Sequence, residues 1–179
     1  MIKKVLLAVL VIIVVFVIIV ATRPGAFRVT RSATIAAPAD VVFAQVNDLH
    51  KWEAWSPWAK LDPNAKITFE GPVAGVGAGY TWAGNSQVGE GRMTISESRA
   101  NELIRFNLEF LKPMQMKNAA EFTFKTEGKQ TAVTWSMSGT NGFIGKAFSL
   151  FVNCDKMVGP DFEKGLAQLK TVSEAAAPK

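Results

Sequence analysis

The stretch "RSATIAAPADVVFAQVNDLHKWEAWSPW", residues 31–58, decides how the fold of this chain is interpreted. It begins within an alternating segment, Phe27–Ile35, which is typical of a β-strand. Pro38 and Asp40 then favour the start of a short helix, because proline suits the first turn and an acidic side chain stabilises the positive helix end. Three of the five tryptophans follow within a few residues. We therefore predict a strand, a short helix and an aromatic segment in this order.

The tryptophans of this stretch are Trp52, Trp55 and Trp58. Trp52 and Trp55 are three residues apart, so they share a face if the segment is helical. Pro57 disfavours helix for the residue before it, so Trp58 belongs to the turn that follows. A buried tryptophan brings a large apolar surface and an indole N–H that needs a partner. Three interpretations stay open: packing in the core, the wall of a pocket, and contact with a nearby bilayer.

Six later segments alternate apolar and polar side chains with a period of two residues. This pattern predicts antiparallel strands with one apolar and one solvated face. The inward positions that we expect to line the apolar face include Phe69, Tyr80, Trp82, Met93, Phe106, Phe110, Phe122, Phe124 and Trp135. A filled core and a ligand cavity would both give such a surface, so the residues alone do not choose between them.

The end of the chain has apolar residues at three- and four-residue steps from Ile144 to Val172, which predicts a long amphipathic helix. We expect Gly159-Pro160 to kink or split this helix. Helix and sheet must bury their apolar faces against each other. The sequence therefore predicts an α+β domain of one strand, two short helices, about six strands and a long C-terminal helix, with a frayed tail at residues 174–179.

An apolar segment without charges, residues 5–21, precedes the domain. A membrane-spanning helix needs about 17–25 such residues. We predict that residues 1–23 are an N-terminal membrane anchor and that residues 24–173 are the folded domain. A cleaved signal peptide is the alternative, because such peptides also begin with basic residues and an apolar segment.

The charges on both flanks of this segment bear on its orientation. Lys3 and Lys4 favour an N-terminus on the inside, which predicts a single-pass protein of the bacterial inner membrane with its domain in the periplasm. Arg23, Arg28 and Arg31 lie on the other flank without an acidic residue among them. A cytoplasmic domain therefore remains the alternative.

The charged and metal-binding residue types exclude several classes of function. The net charge is +5, but without Lys3, Lys4 and Arg23 the chain from Pro24 onward has 17 basic against 15 acidic residues. Because this balance is nearly neutral and no basic run of five residues occurs, we expect no nucleic-acid partner. Cys154, the single cysteine, cannot form an internal disulfide and falls on the apolar stripe of the C-terminal helix, where we expect it to be buried. No catalytic motif and no metal-ligand spacing is found, so we expect no metal and no cofactor.

Three polar residues bear on possible chemistry, and no catalytic residue is assigned. His50 is the only histidine, and we expect it to be exposed or to make a contact at a helix start, because no partner that would orient its ring for acid–base chemistry is evident. Alternation places Glu97 on the face of Met93 and Ile95, where a carboxylate needs a partner or changes its pKa. Because strand ends often break the alternation, we expect Glu97 at the rim of this face, and an inward functional carboxylate is the alternative. Glu97 and Tyr80 are the nearest catalytic candidates.

The order of these elements resembles the helix-grip arrangement of the START-related SRPBCC superfamily of polyketide cyclases, aromatases and lipid-transfer proteins. The resemblance covers residues 27–172. Within the superfamily the chain most resembles the bacterial membrane-anchored members. It rests on residues 31–58, on "GVGAGYTWAGNSQVGEGRMTISES" at residues 75–98 and on "CDKMVGPDFEKGLAQLK" at residues 154–170. It implies a curved antiparallel sheet wrapped around the long C-terminal helix, with a hydrophobic cavity between them that loops and residues 50–58 gate.

On this resemblance we expect a membrane-tethered protein that binds or transfers a hydrophobic small molecule or lipid. The ligand would contact the three tryptophans, the inward strand positions, and Met157 and Phe162 of the C-terminal helix. Two alternatives remain open. The chain is a cyclase- or dehydratase-like enzyme, or it is a protein-interaction module that uses the tryptophan patch on a protein partner.

Overall fold

The computed structural model describes residues 1–178. The elements in chain order are helix α1 (Ile2–Thr22), strand β1 (Ala26–Ile35), helix α2 (Ala39–Asn47), a 3₁₀ helix (Leu49–Ala54), strands β2 (Lys66–Glu70), β3 (Gly79–Ala83), β4 (Glu90–Arg99), β5 (Leu103–Lys112), β6 (Met116–Glu127) and β7 (Gln130–Thr140), helix α3 (Phe143–Phe148) and helix α4 (Cys154–Ala176). The predicted α+β class and order of elements are confirmed.

One antiparallel curved sheet holds all seven strands in the order β1-β7-β6-β5-β4-β3-β2. Alternation explains why one face is apolar, since every second residue of each strand points to the same side. Helix α4 packs chiefly against β1 and α2. The helices therefore cover the half of the concave face that β1, β7 and β6 form, and β2, β3 and β4 lie beyond them.

The C-terminal helical region divides at a different place from the predicted one. Its break lies between α3 and α4, at residues 149–153, and α4 continues through Gly159-Pro160. Asn153 explains the break because its side-chain oxygen accepts hydrogen bonds from the N–H groups of Asp155 (2.9 Å) and Lys156 (3.4 Å) and so caps a new helix. Pro160 has no N–H to donate to the carbonyl group of Lys156 one turn earlier, and both residues are exposed, so water can reach this part of the helix. The predicted split at Gly159-Pro160 is wrong.

The end of α4 also lies later than predicted. The helix extends to Ala176, and the carboxylate of Glu174 accepts a hydrogen bond of 2.8 Å from the backbone N–H of Ala36. The predicted frayed tail therefore begins about three residues too early. Lys179 lies outside the described residues.

Helix α1 projects from the domain with nearly all of its side chains exposed. It has a mean hydropathy of 3.6 and is long and apolar enough to span a membrane, and a signal sequence has the same properties. At about 1.5 Å per residue its length is roughly 31 Å, close to the hydrocarbon thickness of a bilayer. Three residues, 23–25, join it to β1.

Arg31 is a charged residue on the inward side of β1, opposite Trp135 of β7. Its guanidinium group donates hydrogen bonds of 2.7 Å to both Asp155 and Glu163 of α4. A Cβ atom at Gly159 would lie only 2.0 Å from the same guanidinium group. The Arg31 guanidinium holds the pKa of Asp155 below its ordinary value. These contacts attach the first turns of α4 to the edge strand.

Gly165 lets α4 approach the sheet closely. A Cβ atom there would lie 2.7 Å from Cζ3 of Trp135 and 3.1 Å from Cδ of Pro57. Trp135 is 2% exposed and packed by rings on several sides, so its ring cannot move aside freely. Only glycine fits this contact without a shift of the helix.

We expect Gly165→Ala to destabilise the domain by about 1–2 kcal/mol, because overpacking of about 1–3 kcal/mol exceeds the gain of about 1 kcal/mol in helix propensity. Chemical denaturation of the full chain in detergent micelles measures the difference. The control is Lys164→Ala, an exposed neighbour on the same helix that should change stability by less than about 0.5 kcal/mol. Equal effects of the two substitutions would contradict the close approach at Gly165.

The ion pair between Arg31 and Asp155 predicts a pH dependence. Because the folded pKa of Asp155 is lowered, its contribution to stability is complete above the ordinary aspartate pKa of about 3.9 and is lost as the pH falls through the lowered value. We expect the difference in urea midpoint between the wild type and Arg31→Met to be largest near neutral pH and to shrink at low pH. Arg99→Met, which removes an exposed arginine, is the control and should show a smaller difference at neutral pH.

Candidate functional site

A central aromatic cluster joins the sheet to the helices. It consists of Trp52, Trp55, Phe106, Phe122, Trp135 and Phe162, all nearly inaccessible to solvent. Trp135 is at its middle and stacks on Phe162 of α4 at a centroid distance of 4.0 Å and on Phe122 of β6 at 4.8 Å. These contacts fill the space between α4 and this half of the sheet with rings.

The 3₁₀ helix and the residue that caps its end place Trp52 and Trp55 in this cluster. Trp52 and Trp55 lie 4.5 Å apart and are 5% and 0% exposed. Their indole N–H groups donate to the backbone carbonyls of Val46 (2.9 Å) and Gln45 (3.1 Å) at the end of α2. Both rings therefore pack in the core, and the open question about their environment is answered in favour of core packing.

Trp58 differs from the two preceding tryptophans because it is only half-buried. Its ring meets Trp135 edge-on at 5.7 Å and Phe162 at 6.3 Å. It lies in the turn after the 3₁₀ helix, as Pro57 predicted. Trp58 is therefore a ring at the margin of the central aromatic cluster, between Trp135 and solvent.

Trp135 has a buried polar group without a partner. Its indole Nε1 is inaccessible and makes no hydrogen bond within residues 1–178. The indole groups of Trp52, Trp55 and Trp82 all donate to backbone carbonyls. An unpaired buried donor costs about 1–3 kcal/mol. Sequence reasoning missed this feature, since alternation predicts the burial of a ring and not the partner of its N–H.

The other half of the concave face carries a second group of rings, the edge aromatic row, which consists of Phe69, Tyr80, Trp82 and Phe110. Adjacent rings of the row lie 5.8–6.0 Å apart. Phe69 is 43% exposed and the other three are half-buried. No helix of the described chain packs extensively on these strands. The row is thus an apolar surface that is open to solvent on one side.

Two polar side chains lie at one level across the sheet: Tyr80, which belongs to the row, and Asn118 of β6. Tyr80 makes no side-chain hydrogen bond among the described residues, and burial raises the pKa of its hydroxyl. Asn118 of β6 is half-buried, and its amide Nδ2 has only Sδ of Met137 as an acceptor, at 3.9 Å. The register connects the two residues through Leu108 and Met93. Both groups can therefore take a further polar contact.

His50 has a partner that the sequence did not reveal. Its Nδ1 lies 3.1 Å from Oδ1 of Asp48, which also caps the 3₁₀ helix by accepting from the backbone N–H of His50. The imidazole ring stacks on Phe69 at 3.9 Å. His50 is exposed and makes a contact at a helix start, as predicted, but the expectation that no partner orients its ring is wrong. Donor and acceptor are two positions apart in the sequence, so an Asx-type cap was the signal for this pair.

Glu97 does not lie on the apolar face. The register of β4 shifts between Ile95 and Glu97, and the bulge turns the following side chains to the opposite side. Glu97 binds Arg105 at 2.6 Å and Arg99 at 3.3 Å on the solvated face. The inward position that simple alternation gives is therefore wrong, and the carboxylate lies on the opposite face of the sheet from the aromatic groups described above.

The residues that were predicted to contact a ligand fall into three groups by exposure. Those that are buried are Trp52, Trp55, Met93, Phe106, Phe122, Phe124, Trp135 and Phe162. Those that are half-buried are Trp58, Tyr80, Trp82 and Phe110, and those that are exposed are Phe69 and Met157. Cys154 is half-buried, and burial together with the neighbouring Asp155 raises the pKa of its thiol.

Two shallow surface depressions lie outside the concave face. One has a volume of about 240 Å³ beside the turn of residues 84–89 and Lys112-Pro113. Another, also of about 240 Å³, lies on the solvated face among Arg92, Thr94, Asn107 and Glu109. Both are smaller than the roughly 300–1,000 Å³ of common ligand pockets. Within residues 1–178 no group of three or more histidine, cysteine or acidic residues could hold a metal ion.

Comparisons with known proteins agree with this fold. Residues 26–174 match the family model described as polyketide cyclase/dehydrase and lipid transport. Protein CV1439 from Chromobacterium violaceum is 15% identical, with a TM-score of 0.59 over 88% of this chain and 100% of that chain. Major latex-like protein 151 from Panax ginseng is 12% identical, with a TM-score of 0.60 over 83% of this chain and 98% of that chain.

A third similar structure is the Aha1 dimer from Colwellia psychrerythraea, which is 14% identical, with a TM-score of 0.59 over 83% of this chain and 96% of that chain. Comparison with curated proteins gives no match. At these identities the similarity to solved structures shows the fold alone.

The burial of the tryptophans predicts a difference between them. We expect Trp55→Ala to destabilise the domain by about 3–5 kcal/mol, because the ring is fully buried and its removal leaves a cavity. Trp58→Ala removes the same side chain from a half-buried position and should cost clearly less. Denaturation in detergent micelles compares the two, and equal small losses would contradict the assignment of Trp55 to the core.

Proposed function

The chain belongs to the polyketide cyclase/dehydrase and lipid transport family, and on that premise we propose that it binds or transfers a hydrophobic small molecule or lipid while α1 tethers it to a membrane. The ligand lies against the concave face, between the central aromatic cluster and the edge aromatic row. The observation that carries the proposal is the unpaired, buried indole N–H of Trp135 within this apolar surface. A carbonyl or hydroxyl oxygen of the ligand accepts from it.

Access to Trp135 depends on Trp58. This ring is half-buried and meets Trp135 edge-on at 5.7 Å. Its rotation brings solvent or ligand to the indole group while the hydrogen-bonded Trp52 and Trp55 stay in place. The apolar part of the ligand then lies along the edge aromatic row, with Tyr80 and Asn118 as further polar contacts. Few polar groups on a mainly apolar surface are the usual composition of such sites.

Tethering supports the same function. Helix α1 keeps the domain within a few residues of the bilayer, so membrane-soluble ligands are met at a high effective concentration. The proposed location is a bacterial inner membrane. Lys3 and Lys4 in the first turn of α1 favour an N-terminus on the inside and therefore a periplasmic domain.

The test begins with native mass spectrometry and lipid extraction of the full chain purified from its host in mild detergent. We expect an apolar molecule with an oxygen acceptor to co-purify. Trp135→Phe should weaken its binding about fivefold, the effect of one lost hydrogen bond of roughly 1 kcal/mol. Trp52→Phe is the matched control, because it makes the same change in the same cluster where the N–H is already satisfied by Val46. Ligand-free protein that takes up no lipophilic compound would contradict the proposal.

A cyclase- or dehydratase-like activity is the second candidate, and the Asp48–His50 pair favours it. Asp48 holds Nδ1 of His50, so Nε2 is free to move a proton at the edge of the same apolar surface, beside Phe69. Glu97 has no place in this chemistry because it lies on the solvated face. Turnover of a candidate substrate that survives His50→Gln unchanged would exclude the pair.

A third function, a protein-interaction module that uses the tryptophan patch, requires the three tryptophans to be exposed together. Trp52 and Trp55 are 5% and 0% exposed, so the three tryptophans form no exposed surface.

A further inference from the structure

Helix α3 and the turn that follows it expose a group of large apolar side chains. Phe143, Ile144, Phe148 and Phe151 are 50%, 72%, 54% and 82% exposed. No residue of α3 is buried. Single exposed apolar residues are ordinary, but a contiguous group of this size marks a surface that another molecule covers.

This group lies at the place where α1 joins the domain. Ala26 pairs with Thr140, so the start of β1 lies beside the end of β7, from which α3 begins three residues later. The backbone N–H of Asn141 donates to the carbonyl of Gly25 at 2.9 Å, and α1 contacts α3 directly. A bilayer that holds α1 therefore lies within a few residues of α3.

The β5–β6 hairpin brings further apolar residues to the same end of the sheet. Asn118 pairs with Gly139, and the hairpin tip lies beyond this level, on the side of residues 141–143. Leu111 and Met114 at this tip are 51% and 43% exposed. Two separate segments of the chain thus present apolar side chains at the end where α1 departs.

Basic residues accompany both segments. Lys112 and Lys117 of the hairpin pair with Glu90 (2.7 Å) and Glu109 (3.1 Å). Lys146 of α3 and Arg23 form no ion pair among residues 1–178, and Nζ of Lys146 lies 3.5 Å from the carbonyl of Ala21 at the end of α1. The uncompensated positive charge is thus beside α1, where lipid phosphate groups would complement it.

We propose that Leu111, Met114, Phe143, Ile144, Phe148 and Phe151 form a docking surface for the lipid bilayer that α1 spans. The inference rests on the membrane anchor of the proposed function and goes beyond it. Amphipathic segments with apolar and basic side chains lie in the interface with their apolar groups buried about 5–10 Å. The docking surface fixes the orientation of the domain, so that the end of the sheet that carries Gly139, Asn118 and the edge aromatic row faces the lipid.

The experiment measures the depth of single spin labels in the full chain, reconstituted in lipid nanodiscs. Each label is attached to one introduced cysteine in a Cys154→Ser background, at Ile144→Cys or Phe151→Cys for the docking surface. Both positions are highly exposed, so the label does not disturb the fold. We expect these labels to lie at the headgroup and acyl-chain boundary, protected from an aqueous relaxation reagent and accessible to oxygen.

Two reference labels make the result decisive. Lys129→Cys lies in the β6–β7 turn at the opposite end of the sheet and should be fully accessible to the aqueous reagent. Val11→Cys lies in the middle of α1 and reports the anchor itself. The docking surface is contradicted, and the ligand-binding function stands, if the label at position 11 is in the bilayer but the labels at positions 144 and 151 are as accessible to the aqueous reagent as the label at position 129. If the Val11 label is also in water, the anchor fails and the docking surface fails with it.

Discussion

The packing around Trp135 is the contact on which the rest of the domain depends. Phe162 of α4 covers its ring at 4.0 Å in a nearly parallel stack, and Phe122 of β6 packs on it at 4.8 Å. Gly165 allows α4 to come this close, because any side chain there would meet the benzene edge of the indole. Rings of this size in a dense core have little freedom to move. The position of α4 over β1 and β7 therefore depends on the contacts of Trp135. Arg31 then fixes the beginning of the helix through Asp155 and Glu163.

The two halves of the sheet have different properties as a consequence. The half beneath α4 is filled with side chains. Trp52 and Trp55 pack there, and their N–H groups donate to backbone carbonyls at the end of α2. The half formed by β2, β3 and β4 keeps an aromatic surface without a helix over it, and Phe69 is 43% exposed there. The buried core therefore lies mainly in one half, and the open apolar surface that the proposed ligand site uses lies in the other. Trp135, with its unpaired Nε1, lies in the filled half, and the half-buried Trp58 lies against it at the margin of the central aromatic cluster.

The sequence predicted the strands, the order of elements and the inward face well, because these follow from periodicity and from the resemblance to a known fold. It failed where a single local interaction overrides the period. A bulge in β4 turns Glu97 outward, and an Asn153 cap starts α4 where the apolar stripe continued without a break. It also left Trp52 and Trp55 undecided, since a core and a pocket wall require the same residue types. The pairing of His50 with Asp48 and the missing partner of Trp135 depend on atomic positions that no pattern of residue types encodes.

Chain geometry connects the apolar surface to the proposed membrane anchor. Only residues 23–25 separate α1 from β1, so the domain cannot move far from the end of α1. The antiparallel register places the end of β7, the start of α3 and the β5–β6 hairpin beside that point. A short tether by itself would allow the domain to rotate about it. A docking surface of apolar side chains on two segments would stop this rotation, and an apolar molecule would then pass between the lipid and the concave face without crossing water. The exposed phenylalanines near α3, which the core does not need, have a physical reason in this arrangement.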